Sequence, residues 1–336
     1  MQGAFLFQII EEEQTMKKTL SLVIVLLIAM TMVSSVYAEG DKPLIGIVQL
    51  VDHPALDAAR DGFLLALTQN GLVDGENITI DYRNAQNNQD ILSSISDHFV
   101  AEQVDLVLAI ATPAAQAIAG KTEEIPILAT AITDFVVAGL AQSNEKPGWN
   151  VSGTTDMNPV EDQIRLILKL APETKTIGLI YTNSEANSVL QADIALKAIE
   201  DMGLKSEVVT VNNSNDVQQA TQDLVTRCDA IYIPTDNTLA SAMSIVSEVT
   251  MTAGIPVICG ERNQVVGGGT ATLGIDYFNL GQQTGEMAVR VLNGEKTADM
   301  PIEAQKEFEY AINKTVCDLL GINIPEELLG FAFETE

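Results

Sequence analysis

The chain reads as an α/β protein built of two parallel-sheet lobes with a ligand cleft between them, and three observations predict this. Asp229-Ala230-Ile231-Tyr232-Ile233-Pro234-Thr235-Asp236-Asn237-Thr238 is an apolar run that passes straight into a polar turn and a helix start. Asp105-Leu106-Val107-Leu108-Ala109-Ile110-Ala111-Thr112-Pro113 repeats that design earlier in the chain. Neither run alternates, as expected of a parallel strand covered on both faces. The distance from an Ile-Gly strand to an Ile-Pro strand is about 80 residues in each half, which marks a duplicated unit. Polar groups at the carboxyl ends of parallel strands are where open α/β sheets hold ligands, so two such edges predict lobes facing each other.

The first half opens on a strand at Pro43–Gln49, followed by a helix that starts at Asp52-His53-Pro54 and stops at Asn70-Gly71. Ile78–Tyr82 is a strand, Ile91–Glu102 a helix and Leu106–Ile110 a strand. Thr112 is expected to cap a short helix, and Ile125–Ala129 is the next strand. Pro147-Gly148-Trp149-Asn150-Val151-Ser152-Gly153 breaks the pattern and reads as a crossing between lobes. The order then repeats with strands at Thr176–Tyr181, Glu207–Val211, Ala230–Ile233 and Ile255–Ile258. Helices are expected between them at Ser184–Met202, Asp216–Arg227 and Leu239–Thr252. Gly267-Gly268-Gly269 reads as a hinge or turn, since no Lys-Ser/Thr follows to make a phosphate cradle. These readings give Rossmann-like lobes of residues 43–150 plus about 266–300, and of residues 151–265 plus about 301–330. Several crossings would form a hinge that closes on a ligand.

Residues 1–38 read as a signal region, with Lys17-Lys18 as the basic start, Leu20–Val33 as the apolar core and Ala38 as the last residue removed. Glu11-Glu12-Glu13 is acidic where a signal is basic, so translation is expected to begin at Met16. The alternative is an uncleaved anchor, for which the core is short. The protein is accordingly expected outside the cytoplasm, periplasmic or on the outer face of the cytoplasmic membrane.

Composition narrows the function. The 336 residues carry 18 Lys and Arg against 46 Asp and Glu, a net charge of −28, which argues against nucleic acid and anionic membranes as partners. A bilobed regulator would need a basic helix-turn-helix where the signal stands. Cys228, Cys259 and Cys317 are an odd set of buried thiols, and no Cys/His spacing suits a metal. No Gly-x-Ser-x-Gly elbow and no His near a nucleophile suggests an enzyme, and no cofactor is expected.

Six separated motifs carry a family resemblance. They are His53-Pro54-Ala55-Leu56-Asp57-Ala58-Ala59-Arg60-Asp61-Gly62-Phe63, Thr112-Pro113-Ala114-Ala115-Gln116-Ala117, Thr133-Asp134, Ser184-Glu185-Ala186-Asn187-Ser188, Pro234-Thr235-Asp236-Asn237-Thr238 and Gly274-Ile275-Asp276-Tyr277. Together they resemble the ABC-transporter substrate-binding proteins of the tryptophan/tyrosine-binding type, which are type I periplasmic binding proteins. The resemblance implies a monomer that captures a small amino-acid-like ligand and passes it to a permease with its ATPase. It departs from the family in lacking the Cys that would carry a lipid anchor. A nucleoside ligand, or a sensing role at a membrane receptor, are the alternative functions.

A zwitterion needs acceptors for its ammonium and donors for its carboxylate. Thr112, Thr133, Ser184 and Ser188, at helix starts, are the candidate donors. Asp236 and Asp276 are the first candidates to pair the ammonium, with Asp134 and Glu185 behind them. Asn187 and Asn237 would fix orientation, Gln49 and His53 would line the side-chain pocket, and Phe135 would pack on an apolar ligand group. Each has a plainer reading: Thr112, Asp134, Thr235 and Asp236 as helix caps, Asp276 as an ion-pair partner of Arg290 or Arg262, and Glu261 as a hinge or surface residue. Trp149 is assigned to the crossing, outside the pocket.

Overall fold

Two parallel sheets carry the chain, and each grows from the runs that lack polar alternation. The structure, a computed structural model, describes residues 42–335. The expected signal region and its start at Met16 lie outside these residues. The first sheet has the order β11-β5-β4-β3-β1-β2 and is parallel throughout. Its strands in chain order are β1 (Leu44–Gln49), β2 (Thr79–Asn84), β3 (Leu106–Ile110), β4 (Ile127–Ile132), β5 (Val151–Thr155) and β11 (Glu303–Ala304). Every residue of β3 and β4 is buried, because helices cover both faces.

The second sheet has the order β13-β12-β10-β9-β8-β6-β7. It comprises β6 (Thr176–Thr182), β7 (Lys205–Val211), β8 (Ala230–Ile233), β9 (Val257–Cys259), β10 (Ala271–Gly274), β12 (Glu309–Asn313) and β13 (Ala332–Phe333). Only the β10–β12 pairing is antiparallel.

The duplicated Ile-Gly strands share a packing device. A Cβ at Gly46 would stand 2.9 Å from the Phe99 ring, and one at Gly178 2.9 Å from Cys228 Sγ and Leu224. Each glycine thus lets a helix lie close against the strand that begins its lobe. All three cysteines are buried free thiols.

The lobe limits differ from the sequence reading. Val151–Thr155, assigned there to the second lobe, is the fifth strand of the first sheet. Ala271–Gly274, assigned to the first lobe, belongs to the second sheet. The chain therefore crosses after Thr155, after Gly274 and between Ala304 and Glu309. Gly267–Gly269 forms a turn within the second lobe, between α9 (Arg262–Val266) and β10, away from the crossings. Glycine and proline near Trp149 mimicked a domain break, whereas the segment is the loop that feeds β5. A helix without a counterpart in the sequence reading, α4 (Val160–Leu170), follows the first crossing with Ile164, Leu166, Ile167 and Leu170 buried.

The crossings are bonded to one another. Asn158 Oδ1 accepts from Ile275 N at 3.2 Å, and Tyr277 OH donates to Asp156 Oδ2 at 2.6 Å. Gln305 pairs with the backbone of Asp276 on the third. The long helix α10 (Tyr277–Leu292) then packs in the first lobe on α1 (Pro54–Gln69), and a Cβ at Gly281 would collide with the backbone of Ala59. No helix among the described residues is long and apolar enough to cross a membrane.

Candidate functional site

The carboxyl ends of both sheets meet at one small interlobe cavity, about 10 Å³, so a ligand enters only when the lobes part. Its lining includes His53 after β1, Ala131 in β4, Asp156 after β5, Asn187 after β6, Asp236 and Asn237 after β8, Glu261 after β9 and Tyr277 after β10. Three hydrogen bonds join the lobes around it. His53 Nε2 meets Asn237 Oδ1 at 3.2 Å, Asn87 Nδ2 donates to Thr238 Oγ1 at 3.1 Å, and Gln191 Nε2 donates to Thr133 Oγ1 at 3.0 Å.

The second-lobe wall is built from carboxylates that occupy helix N-termini. Glu185 accepts from Asn237 N and Thr238 N, both at 3.1 Å, from Thr238 Oγ1 at 2.9 Å and from Asn237 Nδ2. Asp236 accepts from Thr182 N at 2.6 Å, Thr182 Oγ1 at 2.8 Å and Leu239 N at 2.8 Å. Glu261 caps α9 through Asn263 N and Gln264 N. Burial raises Asp236 well above the ordinary carboxylate range, and the neighbouring Glu185 charge adds to it. Burial likewise pushes Glu261 up to about 7. Asp156, also raised by burial, is held by the Thr133 and Tyr277 hydroxyls at 2.9 and 2.6 Å.

Two polar atoms in this cavity lack a protein partner, His53 Nδ1 and Asn187 Oδ1. The hydrogen-bond network assigns both as acceptors. Asn237 Nδ2 donates to Glu185, so its Oδ1 faces His53 and takes the hydrogen of Nε2. Burial lowers the imidazole pKa, so Nδ1 keeps its lone pair. Asn187 Nδ2 donates to Thr235 O at 2.9 Å, which leaves Oδ1 as the amide's unpaired acceptor. A buried acceptor left unpaired costs about 1–3 kcal/mol, so both atoms call for a donor.

The backbone at the carboxyl ends of β3 and β4 in the first lobe is strained, and of its two strained residues Ala131 lines the cavity. Ala111 has φ 84° and ψ 151°, and Ala131 has φ 57°, in regions that L residues rarely occupy. Ala111 precedes α3 (Thr112–Ala119), which no side chain caps. Thr112 is therefore not the cap expected of it; it is the first helical residue, and its buried hydroxyl has no partner.

Of the residues singled out from the sequence, His53, Asn187, Asp236 and Asn237 line the cavity. Glu185 and Ser188 stand behind it, with the Ser188 hydroxyl donating to Thr235 O at 3.4 Å, and Thr133 holds Asp156. The others are not lining residues; Thr112 stands at the end of β3, beside the β4 strand that carries Ala131. Gln49 binds Asp57 and Arg60 within the first lobe, and Phe135 is buried in that lobe's apolar core. Asp134 caps the turn at Val136 and Val137, and Ser184 is exposed. Asp276 is an exposed N-cap accepting from Asn279 N at 2.9 Å, while Arg290 pairs with Glu295 and Glu303. Arg262 lies over the Phe333 ring. Trp149, 46% exposed, borders a separate groove of about 760 Å³ at the amino ends of β4 and β5, away from the ligand edge of the sheet. Sequence reasoning does not single out Asp156, Glu261 or Tyr277, which also line the cavity; for Asp156, a crossing read at residues 147–153 hides the carboxyl end of β5 as a sheet edge.

The comparisons agree with this architecture. Residues 44–336 match the family model described as ABC transporter substrate binding protein. The chain is 44% identical over 282 residues to the tyrosine-binding protein of Clostridioides difficile, covering 83% of this chain and 81% of that one. It is similar to the structure of an ABC domain from Streptococcus pneumonia in complex with L-Trp (37% identity, TM-score 0.85, 88% of this chain and 100% of that one). A ligand-free, open structure of a Clostridium difficile substrate-binding protein with adhesive properties is 44% identical over the same shares, yet its TM-score is 0.68. The higher score with the lower identity fits lobes that are shut here, as the three interlobe hydrogen bonds also indicate. A glucose-galactose binding protein from Geobacillus stearothermophilus, 14% identical with a TM-score of 0.58, shares the fold. The matching family consists of transporter binding proteins rather than enzymes and is typically extracytoplasmic. With a family match across nearly all the described residues and a bilobed α/β fold as expected, the chain belongs to the ABC transporter substrate-binding proteins.

Proposed function

We propose that this protein captures an aromatic amino acid, tyrosine or tryptophan, between its lobes and delivers it to an ABC permease outside the cytoplasm. The observation that carries this reading is the pair of unpaired acceptors, His53 Nδ1 and Asn187 Oδ1, in a cavity that also holds Asp156, Asp236 and Glu261. An ammonium group offers three hydrogens and a positive charge to those atoms. The ligand carboxylate turns to the first lobe, where the Thr112 hydroxyl and the uncapped start of α3 are donors. The tyrosine and L-Trp named for the two similar proteins support an aromatic side chain.

Thermal shift of the purified protein against the twenty amino acids and common nucleosides tests the reading. A ligand at about 100 times its Kd stabilises by about 2.7 kcal/mol, a readily measured rise in Tm. Tyrosine, tryptophan or phenylalanine should give the largest rise. A rise with nucleosides alone would reject the amino-acid reading.

A further inference from the structure

Gln191 is fully buried on α5 (Ala186–Asp201), a helix of the second lobe. Its two ends are both engaged. Oε1 accepts from Thr235 N at 3.1 Å, which fixes the amide, and Nε2 reaches across to Thr133 Oγ1 at 3.0 Å. Thr133 follows β4 in the first lobe, and its hydroxyl has one hydrogen to give. That hydrogen goes to Asp156 Oδ1 at 2.9 Å. Asp156 stands at the first crossing and lines the cavity, with its other oxygen held by Tyr277 from the second crossing. One directional chain, amide to hydroxyl to carboxylate, therefore runs from the second lobe to the ligand cavity.

We propose that Gln191 and Thr133 form a closure latch, positioning residues that tie the second lobe to the carboxylate of Asp156 and so couple ligand occupancy to lobe closure. The proposal rests on the reading that an ammonium group sits in this cavity. An ammonium beside Asp156 holds the carboxylate ionised, which makes it the stronger acceptor for the Thr133 hydrogen. The polarised Thr133 oxygen is in turn a better acceptor for Gln191, since linked hydrogen bonds reinforce one another. Without the ligand, burial favours the protonated acid and the chain weakens. The Asn87–Thr238 contact joins the lobes without touching Asp156, so it lacks this dependence.

Single-molecule energy transfer measures the latch, with dyes on Glu76→Cys and Glu173→Cys, two exposed positions on opposite lobes of a protein whose own thiols are buried. The closed fraction is read with and without tyrosine or tryptophan, and Kd by calorimetry. Gln191→Ala and Thr133→Val should each weaken binding about tenfold, the worth of one buried hydrogen bond, and lower the ligand-bound closed fraction. Thr133→Ser, which keeps the hydroxyl, should restore both. The double variant should lose no more than the worse single one. Full closure with unchanged Kd in either single variant, or losses that multiply in the double variant, would overturn the latch. If Gln191→Ala does not fold, Thr133→Val and its serine rescue decide. If the parent protein binds no aromatic amino acid, the ligand reading fails by itself. The latch is then judged on the ligand-free closed fraction, which Gln191→Ala must lower, and an unchanged fraction rejects it as well.

Discussion

The two edges that face each other across the cavity solve the same problem in opposite ways. On the second lobe, Asp236, Glu185 and Glu261 fill the helix N-termini with the protein's own carboxylates. The backbone donors there are already used, and what remains for a ligand is carboxyl oxygen. On the first lobe, α3 starts without a side-chain cap and two alanines hold positive φ. Donors stay free there, at the expense of backbone strain. On the proposed reading a zwitterion lies with its ammonium among His53, Asn187 and the cavity carboxylates, and its carboxylate toward the start of α3. On the proposed reading closure brings the two halves of one site together, and the two lobes differ at their strand ends.

The largest expected effect lies on the charged edge. Asp236→Ala removes the acceptor of three hydrogen bonds and strands Thr182 N and Leu239 N. Chemical denaturation should show a loss of about 3 kcal/mol, beyond any loss of ligand binding. A variant as stable as the parent would show that this edge is not held together by its carboxylates.

Next comes the strained edge. Ala111→Gly should raise stability by about 1–2 kcal/mol, because glycine accepts this backbone conformation freely. A drop in denaturation midpoint would contradict the assignment of strain to the first lobe.

A smaller, graded effect follows from pH. Glu261 is raised to about 7 from an ordinary 4.5, and Asp156 and Asp236 are raised as well. For a raised carboxylate, the folded state holds a proton that the unfolded chain has already lost. Its stabilisation is complete below the unfolded pKa and disappears as pH rises through the folded value. The ligand-free Tm should accordingly fall between pH 4.5 and about 7, while affinity for an ammonium ligand rises over the same window. A Tm flat across that range would remove the proton from the account.

The smallest effect belongs to Asp276, a sequence candidate that lies outside the cavity. Asp276→Ala should cost about 1 kcal/mol through loss of an N-cap and leave Kd unchanged. A large loss of affinity would return Asp276 to the binding site.

Much of this was legible in the sequence. The unbroken apolar strands, the Ile-Gly duplication and the polar turn after Ile233 predicted two parallel-sheet lobes. Residues near a strand end in sequence, His53, Asn187, Asp236 and Asn237, do reach the cavity. What the sequence left out depends on contacts between distant segments. Asp156 lines the cavity only because β5 pairs with β4, placing its end at that edge of the sheet. Glu261 reads from sequence as a hinge or surface group, yet it is a buried cap after β9 that lines the cavity. Asp276 and Asp236 each precede a helix, and local spacing cannot tell an exposed cap from a buried one.

The most direct test of the ammonium site is calorimetric titration with L-tyrosine and with 3-(4-hydroxyphenyl)propionate, which differs only by lacking the amino group. The account predicts that tyrosine binds and that the des-amino acid is weaker by about a hundredfold or more, since the cavity's acceptors then stay unpaired. Equal affinity for the two would contradict it, because the carboxylates and the unpaired acceptors would then have no part in recognition.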